Sequence, residues 1–380
     1  MPDLIATTSF GLEAVVKREL QALGFGELQV SNGKVTFPAA LEDIPRANLW
    51  LRSAGRVQVK MGEFAATTFD ALFEQTKALP WEDWIPADGT FPVNGKAVKS
   101  TLGSVRACQA IAKKAIVERL REKHKTADLP ESGALYPVQV ALRNDTALLT
   151  LDTSGSGLNK RGYRGQAGEA ALRETLAAAL VQLSFWNRER LLIDPMCGSG
   201  TILVEAALLG RNIAPGLRRR FAAEKWAAIP QRAWDTARQE ARGKMIRDAE
   251  LEIYGYDRDP DLIAEARRNA RRAGVGQDIV FGHKDVKDLW IDRQYGIVIS
   301  NPPYGVKMGD FQEINQIYIS LHKTFRKKRG WSVYILTADK KFPDYFKRAR
   351  PDRVRKLFNG PLEVNFYQYF GERPPRTPGE

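Results

Sequence analysis

The sequence predicts an α/β protein with more than one domain, in which two small α+β modules precede a doubly wound, mostly parallel sheet. The chain has 380 residues, which is more than one typical compact core accommodates. Its first 155 residues contain short strands, helices and hairpin signals, whereas apolar strands alternate with helical segments from about residue 160. We therefore expect two α+β modules followed by one larger α/β domain.

The first module is assigned to residues 1–60. Leu12, Val15 and Leu20 recur at helical spacing after a short apolar strand. Further along, Asn32-Gly33 between two short extended runs predicts a tight hairpin turn. The predicted elements are a strand at 3–7, a helix at 11–23, a hairpin at 30–37, a helix at 44–51 and a strand at 56–64.

The second module is assigned to residues 61–155 and is built around a long amphipathic helix at residues 104–121. Ser154-Gly155-Ser156-Gly157 is a flexible boundary, so residues 156–175 are interpreted as a linker. The other predicted elements are a helix at 68–77, a strand that begins at residue 91, and strands at 136–143 and 146–152.

The third block, residues 176–380, is expected to form the doubly wound domain. Residues 212–248 exceed a normal crossover and predict a basic helical insertion that carries Trp226 and Trp234. Two interpretations of this insertion stay open: direct contact with a nucleic acid, or a solvated excursion anchored by its tryptophans. The predicted strands lie at 191–196, 251–256, 278–282, 296–300, 332–337, 353–358 and 363–369.

Composition excludes several classes of protein. No apolar run reaches 18 residues, which argues against a membrane span, and Met1-Pro2-Asp3 does not begin a secretory leader. Two cysteines and three histidines argue against a disulfide framework and a metal site. We expect a cytoplasmic protein with no bound metal, no membrane contact and no obligate protein partner.

The distribution of charge suggests a polyanionic partner. The chain carries 58 Lys and Arg against 45 Asp and Glu, a net charge of +13. Residues 1–160 contain 19 basic and 18 acidic residues, whereas residues 161–380 contain 39 and 27. Because the excess lies in the C-terminal part, a nucleic acid is favoured over a generic basic surface.

A glycine-rich turn follows the first strand of the third domain. The apolar residues 191–193 lead into the turn and a helix follows it directly, so backbone N–H groups would face a ligand. The turn lacks the glycine spacing of dinucleotide binders and the Gly-Lys-Ser/Thr of phosphate-binding loops. It is similar to the first motif of class I methyltransferases, which holds the methionine part of S-adenosylmethionine. Its residues are Asp194, Pro195, Met196, Cys197, Gly198, Ser199, Gly200 and Thr201.

The next two strands also end in acidic residues. Asp257, followed by Arg258, is placed to accept hydrogen bonds from ribose hydroxyls. Asp285, followed by Val286, is placed to accept a hydrogen bond from the adenine amino group. Asp194 ends the first strand, so three successive strands each end in an acidic residue. Together with the glycine turn, these three acids indicate an S-adenosylmethionine site.

The fourth strand ends in Asn301-Pro302-Pro303-Tyr304, the predicted catalytic element. The two prolines fix the backbone, and neither donates an N–H to the sheet. If the Asn301 side-chain oxygen and the Pro302 carbonyl each accept one N–H, an amino nitrogen is held with its lone pair towards the methyl donor. Tyr304 can stack on an extruded base. Catalysis would then consist mainly of positioning and electrostatics.

With these motifs, the sequence resembles the THUMP-domain RNA methyltransferases that make N2-methylguanosine. The resemblance implies a seven-stranded Rossmann-like class I methyltransferase domain preceded by ferredoxin-like and THUMP modules. One departure follows the catalytic element, where the family often has an acidic residue and an arginine and this chain has Val306 and Lys307. The segments that carry the resemblance are 4–23, 104–120, 158–164, 172–180, 357–360 and 367–369.

This resemblance implies methylation of a guanine N2 in 23S rRNA, with S-adenosylmethionine as the cofactor and RNA as the partner. The candidate RNA-binding residues of the second module are Lys96, Lys99, Arg106, Lys113 and Lys114, although an ordinary solvated helix face would look the same. Other hypotheses stay open: a tRNA guanine, an adenine N6 in DNA, a glutamine amide in protein, and a non-catalytic RNA-binding protein.

Overall fold

The computed structural model describes residues 1–165, 172–303, 310–348 and 350–373. The chain divides into two compact units. Unit 1 comprises Met1–Thr8, Val16–Leu158 and Gly216–Ala241, and unit 2 comprises Ser9–Val15, Asn159–Pro215 and Arg242–Glu380.

The strands and helices follow the predicted alternation. The strands are β1 (Asp3–Thr7), β2 (Gln29–Ser31), β3 (Lys34–Pro38), β4 (Arg56–Ala65), β5 (Val93–Val98), β6 (Val138–Arg143), β7 (Thr146–Asp152), β8 (Leu192–Asp194), β9 (Ile253–Asp257), β10 (Ile279–His283), β11 (Tyr295–Ser300), β12 (Gly330–Thr337), β13 (Arg353–Asn359) and β14 (Leu362–Tyr369). The helices are α1 (Glu13–Ala22), α2 (Asp43–Trp50), α3 (Phe69–Lys77), α4 (Val105–His124), α5 (Glu174–Leu183), α6 (Thr201–Gly210), α7 (Gln231–Gly243), α8 (Pro260–Ala273), α9 (Asp310–Phe325) and α10 (Phe342–Phe346).

Unit 1 contains one continuous seven-stranded sheet in the order β2-β3-β1-β4-β7-β6-β5. The predicted hairpin turn at Asn32-Gly33 is confirmed, since β2 and β3 pair antiparallel on either side of it. β4 pairs with β1 on one side and β7 on the other, so the strands of both predicted modules join in one sheet. A boundary drawn at residue 60 therefore falls inside β4. Sequence periodicity could not reveal this shared strand because it contains no information on pairing.

Local chemistry explains where α4 begins and ends. The Ser104 side chain accepts a hydrogen bond from the Ala107 backbone N–H at 3.3 Å, which caps the helix start. Cys108, Ala115 and Ile116 are buried on its apolar face. The helix ends at Lys125, whose backbone is left-handed. The amphipathic helix predicted here is thus confirmed, and it extends three residues beyond the predicted end.

The insertion at residues 212–248 contains a 3₁₀ turn, Ala222–Lys225, and helix α7. Trp226 is buried, stacks on Tyr136 with ring centroids 4.9 Å apart, and donates its indole N–H to the Leu135 carbonyl at 2.8 Å. Trp234 is also buried and stacks on Phe221. Both indoles therefore anchor the insertion within unit 1, and neither ring is available to stack on a nucleic acid.

Unit 2 contains the predicted doubly wound sheet, in the order β10-β9-β8-β11-β12-β14-β13. The first five strands in this order are parallel, and β14 runs antiparallel to β12 and β13. One apolar cluster packs α5, α6 and α8 on the sheet, and a second packs α9 and α10. Within the described residues, no helix is long and apolar enough to cross a membrane.

Candidate active site

The candidate site lies where the strand order of unit 2 reverses. β8 pairs with β9 on one side and with β11 on the other. After β8, the chain first adds β9 and β10 on one side and then crosses to add β11 and β12 on the other. Ligands of open parallel sheets bind at the carboxyl ends of the strands that flank this reversal. The glycine turn follows β8 and the Asn-Pro-Pro segment follows β11, so the topology brings the two predicted motifs together.

The glycine turn has a backbone that requires glycine at two positions. Gly198 and Gly200 have φ values of +52° and +79°, in the left-handed region. A Cβ at Gly200 would also lie 3.1 Å from the Ala266 Cβ and 3.1 Å from the Phe281 ring. The buried Asn269 side chain donates to the Ser199 carbonyl at 3.0 Å and fixes the turn from α8. Sequence reasoning missed Asn269, which the helical pattern marks only as a polar residue on a mostly buried face.

Asp194 connects the glycine turn to the catalytic strand. Its Oδ1 accepts hydrogen bonds from the Ser300 hydroxyl at 2.6 Å and from the Met196 backbone N–H at 3.1 Å. Asp194 and Ser300 are both fully buried. Burial raises the pKa of the Asp194 carboxyl from 3.8 to about 7, although these two hydrogen bonds act in the opposite direction. Ser300, missed by sequence reasoning, immediately precedes Asn301.

The Asp257 carboxylate connects the glycine turn to the loop that follows β9. One carboxylate oxygen accepts from the Gly198 backbone N–H at 2.9 Å and the other from the Asp259 N–H at 3.0 Å. The Asp259 side chain in turn caps α8 by accepting from the Asp261 and Leu262 backbone N–H groups. The acid predicted to bind a ribose therefore lies beside the glycine turn.

Asp285 lies two residues after β10, the third strand of unit 2 in chain order, and caps a 3₁₀ turn, Val286–Asp288. Its carboxylate accepts from the Lys287 backbone N–H at 2.9 Å and lies 3.5 Å from the Lys287 ammonium. Asp285 and Val286 are thus held in place at the end of β10.

A cavity of about 490 Å³ connects these elements. Such a volume lies within the range of small-molecule and cofactor sites. Of the residues predicted to bind the cofactor, Pro195, Gly198, Asp257, Arg258, Asp285 and Val286 line it. Of the predicted catalytic residues, Asn301 and Pro303 line it and Pro302 between them is buried. Tyr304, Val306 and Lys307 lie outside the described residues.

Five residues predicted to bind the cofactor are not part of the cavity lining, namely Asp194, Cys197, Ser199, Gly200 and Thr201. Asp194 and Gly200 shape the turn in the ways described above. Burial, followed by the nearby Asp194 and Asp257, raises the pKa of the Cys197 thiol well above its ordinary value. A thiol kept protonated in this way is suited to packing and not to nucleophilic attack.

Met196, which belongs to the predicted turn, also lines the cavity. Six further lining residues were not predicted: Asp259, Leu262, Lys287, Gln316, Ile317 and Ser320. Gln316, Ile317 and Ser320 lie on one face of α9 at helical spacing. That spacing was visible in the sequence, but the side of the helix that faces the cavity depends on how α9 packs.

The five candidate RNA-binding residues lie in unit 1. Lys113 is engaged, since its ammonium donates to Glu131 at 2.5 Å and to the Phe91 carbonyl at 3.1 Å. Lys96, Lys99, Arg106 and Lys114 are exposed. Within the part of the chain that the structure describes, no cluster of His, Cys, Asp or Glu could hold a metal ion.

Three family models match successive segments of the chain. Residues 3–58 match the RlmL ferredoxin-like domain, and residues 66–152 match the THUMP domain. Residues 161–368, more than half of the chain, match the RMKL-like methyltransferase domain.

Among curated proteins, YpsC of Bacillus subtilis, named as a candidate RNA methyltransferase, is 47% identical over 99% of this chain and 98% of its own length. The ribosomal RNA large subunit methyltransferase K/L of Psychromonas ingrahamii is 36% identical over 95% of this chain. The chain spans only 49% of that K/L protein, about half of its length.

Two solved structures resemble the chain closely. One, called a predicted N6-adenine-specific DNA methylase from Listeria monocytogenes, is 48% identical, has a TM-score of 0.93, and is matched over 98% of this chain and 96% of its own. The other, SMU.472, described as a candidate methyltransferase complexed with SAH, is 40% identical with a TM-score of 0.93 over 98% and 99% of the two chains. These matches confirm the class I methyltransferase fold expected for unit 2.

Proposed function

The chain belongs to the RMKL-like methyltransferase family, and we propose that it transfers the methyl group of S-adenosylmethionine to the exocyclic N2 of a guanine in 23S rRNA. The observation that supports this most is the shared cavity, in which Asn301 and Pro303 face the same space as Asp257 and Asp285. A methyl donor and an acceptor amine must meet within one cavity. Asp257 and Asp285 are of the type suited to the donor, and Asn301 is of the type suited to the amine.

The residues present fit S-adenosylmethionine. Gly198 brings the backbone close to the cavity, and Asp257 and Asp285 provide acceptors at the ends of β9 and β10 for ribose hydroxyls and for the adenine amino group. The SAH complex of SMU.472, a 40% identical structure, supports this assignment. When bound, the cofactor supplies an electrophilic methyl group on a sulfonium.

The catalytic turn is suited to hold an amino group. The Asn301 side-chain oxygen and the Pro302 carbonyl can each accept one N–H of a guanine N2, which leaves the nitrogen lone pair directed away from both. This arrangement raises the reactivity of an amine whose lone pair is otherwise delocalised into the ring, because the charge that develops on nitrogen meets fixed acceptors. Rigid prolines keep the acceptors from reorganising during the reaction.

Several observations favour RNA as the substrate. The THUMP match at residues 66–152 and the RlmL ferredoxin-like match at residues 3–58 lie outside the methyltransferase domain, so they serve a purpose other than the chemical step. The names of YpsC and of the K/L relative refer to RNA or ribosomal RNA. We propose that Lys96, Lys99, Arg106 and Lys114 contact the phosphate backbone, with Lys113 held back by Glu131. The division of the chain into modules at residues 60, 155 and 175 belongs to the same proposal, with strand β4 shared by the first two modules.

Adenine N6 in DNA is the second candidate, because the name of the Listeria structure refers to it. The two catalytic acceptors suit either amine, so they do not discriminate between guanine N2 and adenine N6. The RlmL ferredoxin-like and THUMP matches favour RNA over DNA.

One experiment tests the chemistry and the acceptor together. Purified protein is incubated with radiolabelled S-adenosylmethionine and unmodified 23S rRNA, tRNA or DNA, and each product is digested to nucleosides for mass spectrometry. We expect label in N2-methylguanosine from 23S rRNA. Label found only in N6-methyladenine from DNA, or only in tRNA, would contradict 23S rRNA guanine as the acceptor and identify DNA or tRNA as the substrate.

The variant Asn301→Ala tests the catalytic turn. We expect turnover to fall by at least roughly 100-fold while SAH binding by calorimetry is retained, because the Asn301 side-chain oxygen is proposed to accept an N–H of the acceptor amine. The matched control is Asn187→Ala, which removes an exposed asparagine from the same unit and should leave turnover unchanged. Full activity in Asn301→Ala would refute the mechanism.

A further inference from the structure

One face of the unit 2 sheet is exposed at its edge strand, β10. Tyr254 and Val280 are register partners in parallel strands, and so are Tyr256 and Gly282. Register partners project to the same face, and residues two apart on a strand do the same. All four therefore lie on one face, where Val280 is 56% exposed.

The segment that carries Trp290 packs on the same face. Tyr254 and Tyr256 pack against the second apolar cluster of unit 2, which includes Leu289 and Ile291 on either side of Trp290. Trp290 itself is 77% exposed, the most exposed of the eight tryptophans, all of which lie in the described residues. An indole displayed to this extent is unusual, because tryptophan is highly buried on average.

The backbone around Trp290 is held firmly. Leu289 and Ile291 are both buried. The Lys328 ammonium donates to the Ile291 carbonyl at 2.5 Å, and the Trp331 indole donates to the Arg293 carbonyl at 2.9 Å. The exposed ring is therefore mounted on a fixed segment, and stacking on it costs little ordering of the protein.

Positive charge accompanies these rings. The Lys284 ammonium lies over the Tyr256 ring, 5.5 Å from its centroid, and is itself exposed. Unit 2 as a whole carries 34 basic and 25 acidic residues. We define the edge surface as Tyr254, Tyr256, Val280, Lys284 and Trp290. Aromatic rings combined with cations are the usual platform for unpaired nucleotides.

The edge surface lies close in sequence to the candidate site. Val286 and Lys287 line the cavity, and the Leu289 backbone N–H donates to the Val286 carbonyl. Trp290 is the next residue. A base that enters the cavity must leave its stack, so the nucleotides beside it lose a stacking partner.

We propose that the edge surface binds unpaired RNA nucleotides that flank the methylated base, with Trp290 as the principal stacking ring. This inference rests on the proposed function, since it takes the substrate to be RNA. Base-on-aromatic stacking tolerates any sequence, so the edge surface adds affinity and not base selection.

The test compares Trp290→Ala with the wild-type chain. The probe is a fluorescein-labelled single-stranded oligouridylate of about 12 nucleotides, within the site sizes of single-strand binders, and binding is followed by anisotropy at low salt. We expect Kd to rise roughly 5- to 150-fold, the range for loss of one stacked aromatic. Trp290→Phe should retain most of the affinity because it keeps a π-face. Since the ring is exposed, Trp290→Ala should keep the wild-type Tm and SAH affinity.

The matched control is Phe185→Ala, which removes a different aromatic ring of unit 2, one that is 52% exposed, and should leave Kd unchanged. Equal Kd values for wild type and Trp290→Ala would overturn the edge surface while leaving the proposed function intact, provided that the wild type binds RNA and methylates it. A wild-type chain that binds neither this probe nor 23S rRNA would overturn both.

Discussion

Replacing Ser300 with alanine tests whether the hydrogen bond between β8 and β11 positions the catalytic turn. The Ser300 hydroxyl donates to Asp194 Oδ1 at 2.6 Å, and both residues are fully buried. Asp194 belongs to the glycine turn on one side, and Ser300 is covalently joined to Asn301 on the other. One hydrogen bond therefore connects the proposed cofactor site to the proposed acceptor site.

The magnitude follows from the environment of the bond. A hydrogen bond to a charged group contributes about 1.5–3 kcal/mol, and a neutral one about 0.5–1.5 kcal/mol. Because the pKa of Asp194 is about 7, both protonation states are populated at neutral pH. We therefore expect Ser300→Ala to lower the free energy of unfolding by about 1–3 kcal/mol. We also expect kcat to fall by at least roughly tenfold, since a misplacement of about 1 Å can cost 100-fold.

The assay separates positioning from simple destabilisation. Stability is measured by urea denaturation, methyl transfer by incorporation of label into 23S rRNA, and cofactor affinity by SAH calorimetry. The positioning role predicts a loss in kcat while the Kd for SAH changes by less than about threefold. Ser300→Thr keeps a hydroxyl in the same strand and should recover most of kcat.

The matched control is Ser332→Ala on the adjacent strand β12. Ser332 is equally buried, and its hydroxyl accepts a hydrogen bond from the Gly371 backbone N–H at 3.0 Å. We expect a comparable loss of stability with kcat unchanged. If Ser300→Ala and Ser332→Ala lose kcat to the same extent, or if Ser300→Ala loses none, the positioning argument is refuted.

Three further predictions concern stability. Gly255→Ala would place a Cβ 2.4 Å from Leu203 Cδ1 in the packed core of unit 2. We therefore expect the free energy of unfolding, measured by urea denaturation, to fall by about 1–3 kcal/mol. An unchanged midpoint would contradict this packing. Burial holds the pKa of Asp194 at about 7, above its unfolded value of 3.8, so the folded chain retains this proton and its stability falls as pH rises between the two values. Relative to Asp194→Asn, wild-type stability should therefore fall by roughly 2–3 kcal/mol between about pH 5 and 8, and parallel pH profiles would contradict the assignment. Trp226→Ala removes the ring that stacks on Tyr136, so a loss of about 3–5 kcal/mol is expected, and an unchanged thermal midpoint would show that the insertion is not anchored there.

The motifs could be predicted because each is contiguous in sequence and lies at the end of a strand. An apolar run followed by glycines or by Asn301-Pro302-Pro303 reveals both the strand and the loop that it presents. The carboxyl ends of parallel strands meet at one edge of a sheet, so the two loops were expected at the same edge. Six of the predicted cofactor residues accordingly line the cavity.

Residues that act through packing between distant segments could not be predicted. Asn269 and Ser199 are 70 positions apart, and the Lys113–Glu131 pair forms only because α4 packs near the following loop. Periodicity marks a side chain as inside or outside, but it does not name the partner. The wall that α9 contributes to the cavity was missed for the same reason.

The face of the unit 2 sheet that is exposed at β10 shows how one local difference in structure can affect function. A right-handed crossover between parallel strands usually buries its face of the sheet under a helix. Between β10 and β11 this chain forms only the 3₁₀ turn Val286–Asp288, followed by alternating buried and exposed residues around Trp290. Leu289 and Ile291 cover part of the sheet, while the indole between them is left outward. If the edge surface were only a packing defect, a polar residue at position 290 would improve solubility and leave the affinity for RNA unchanged. Loss of RNA affinity in Trp290→Ala but not in Trp290→Phe would instead assign the exposed ring to substrate binding.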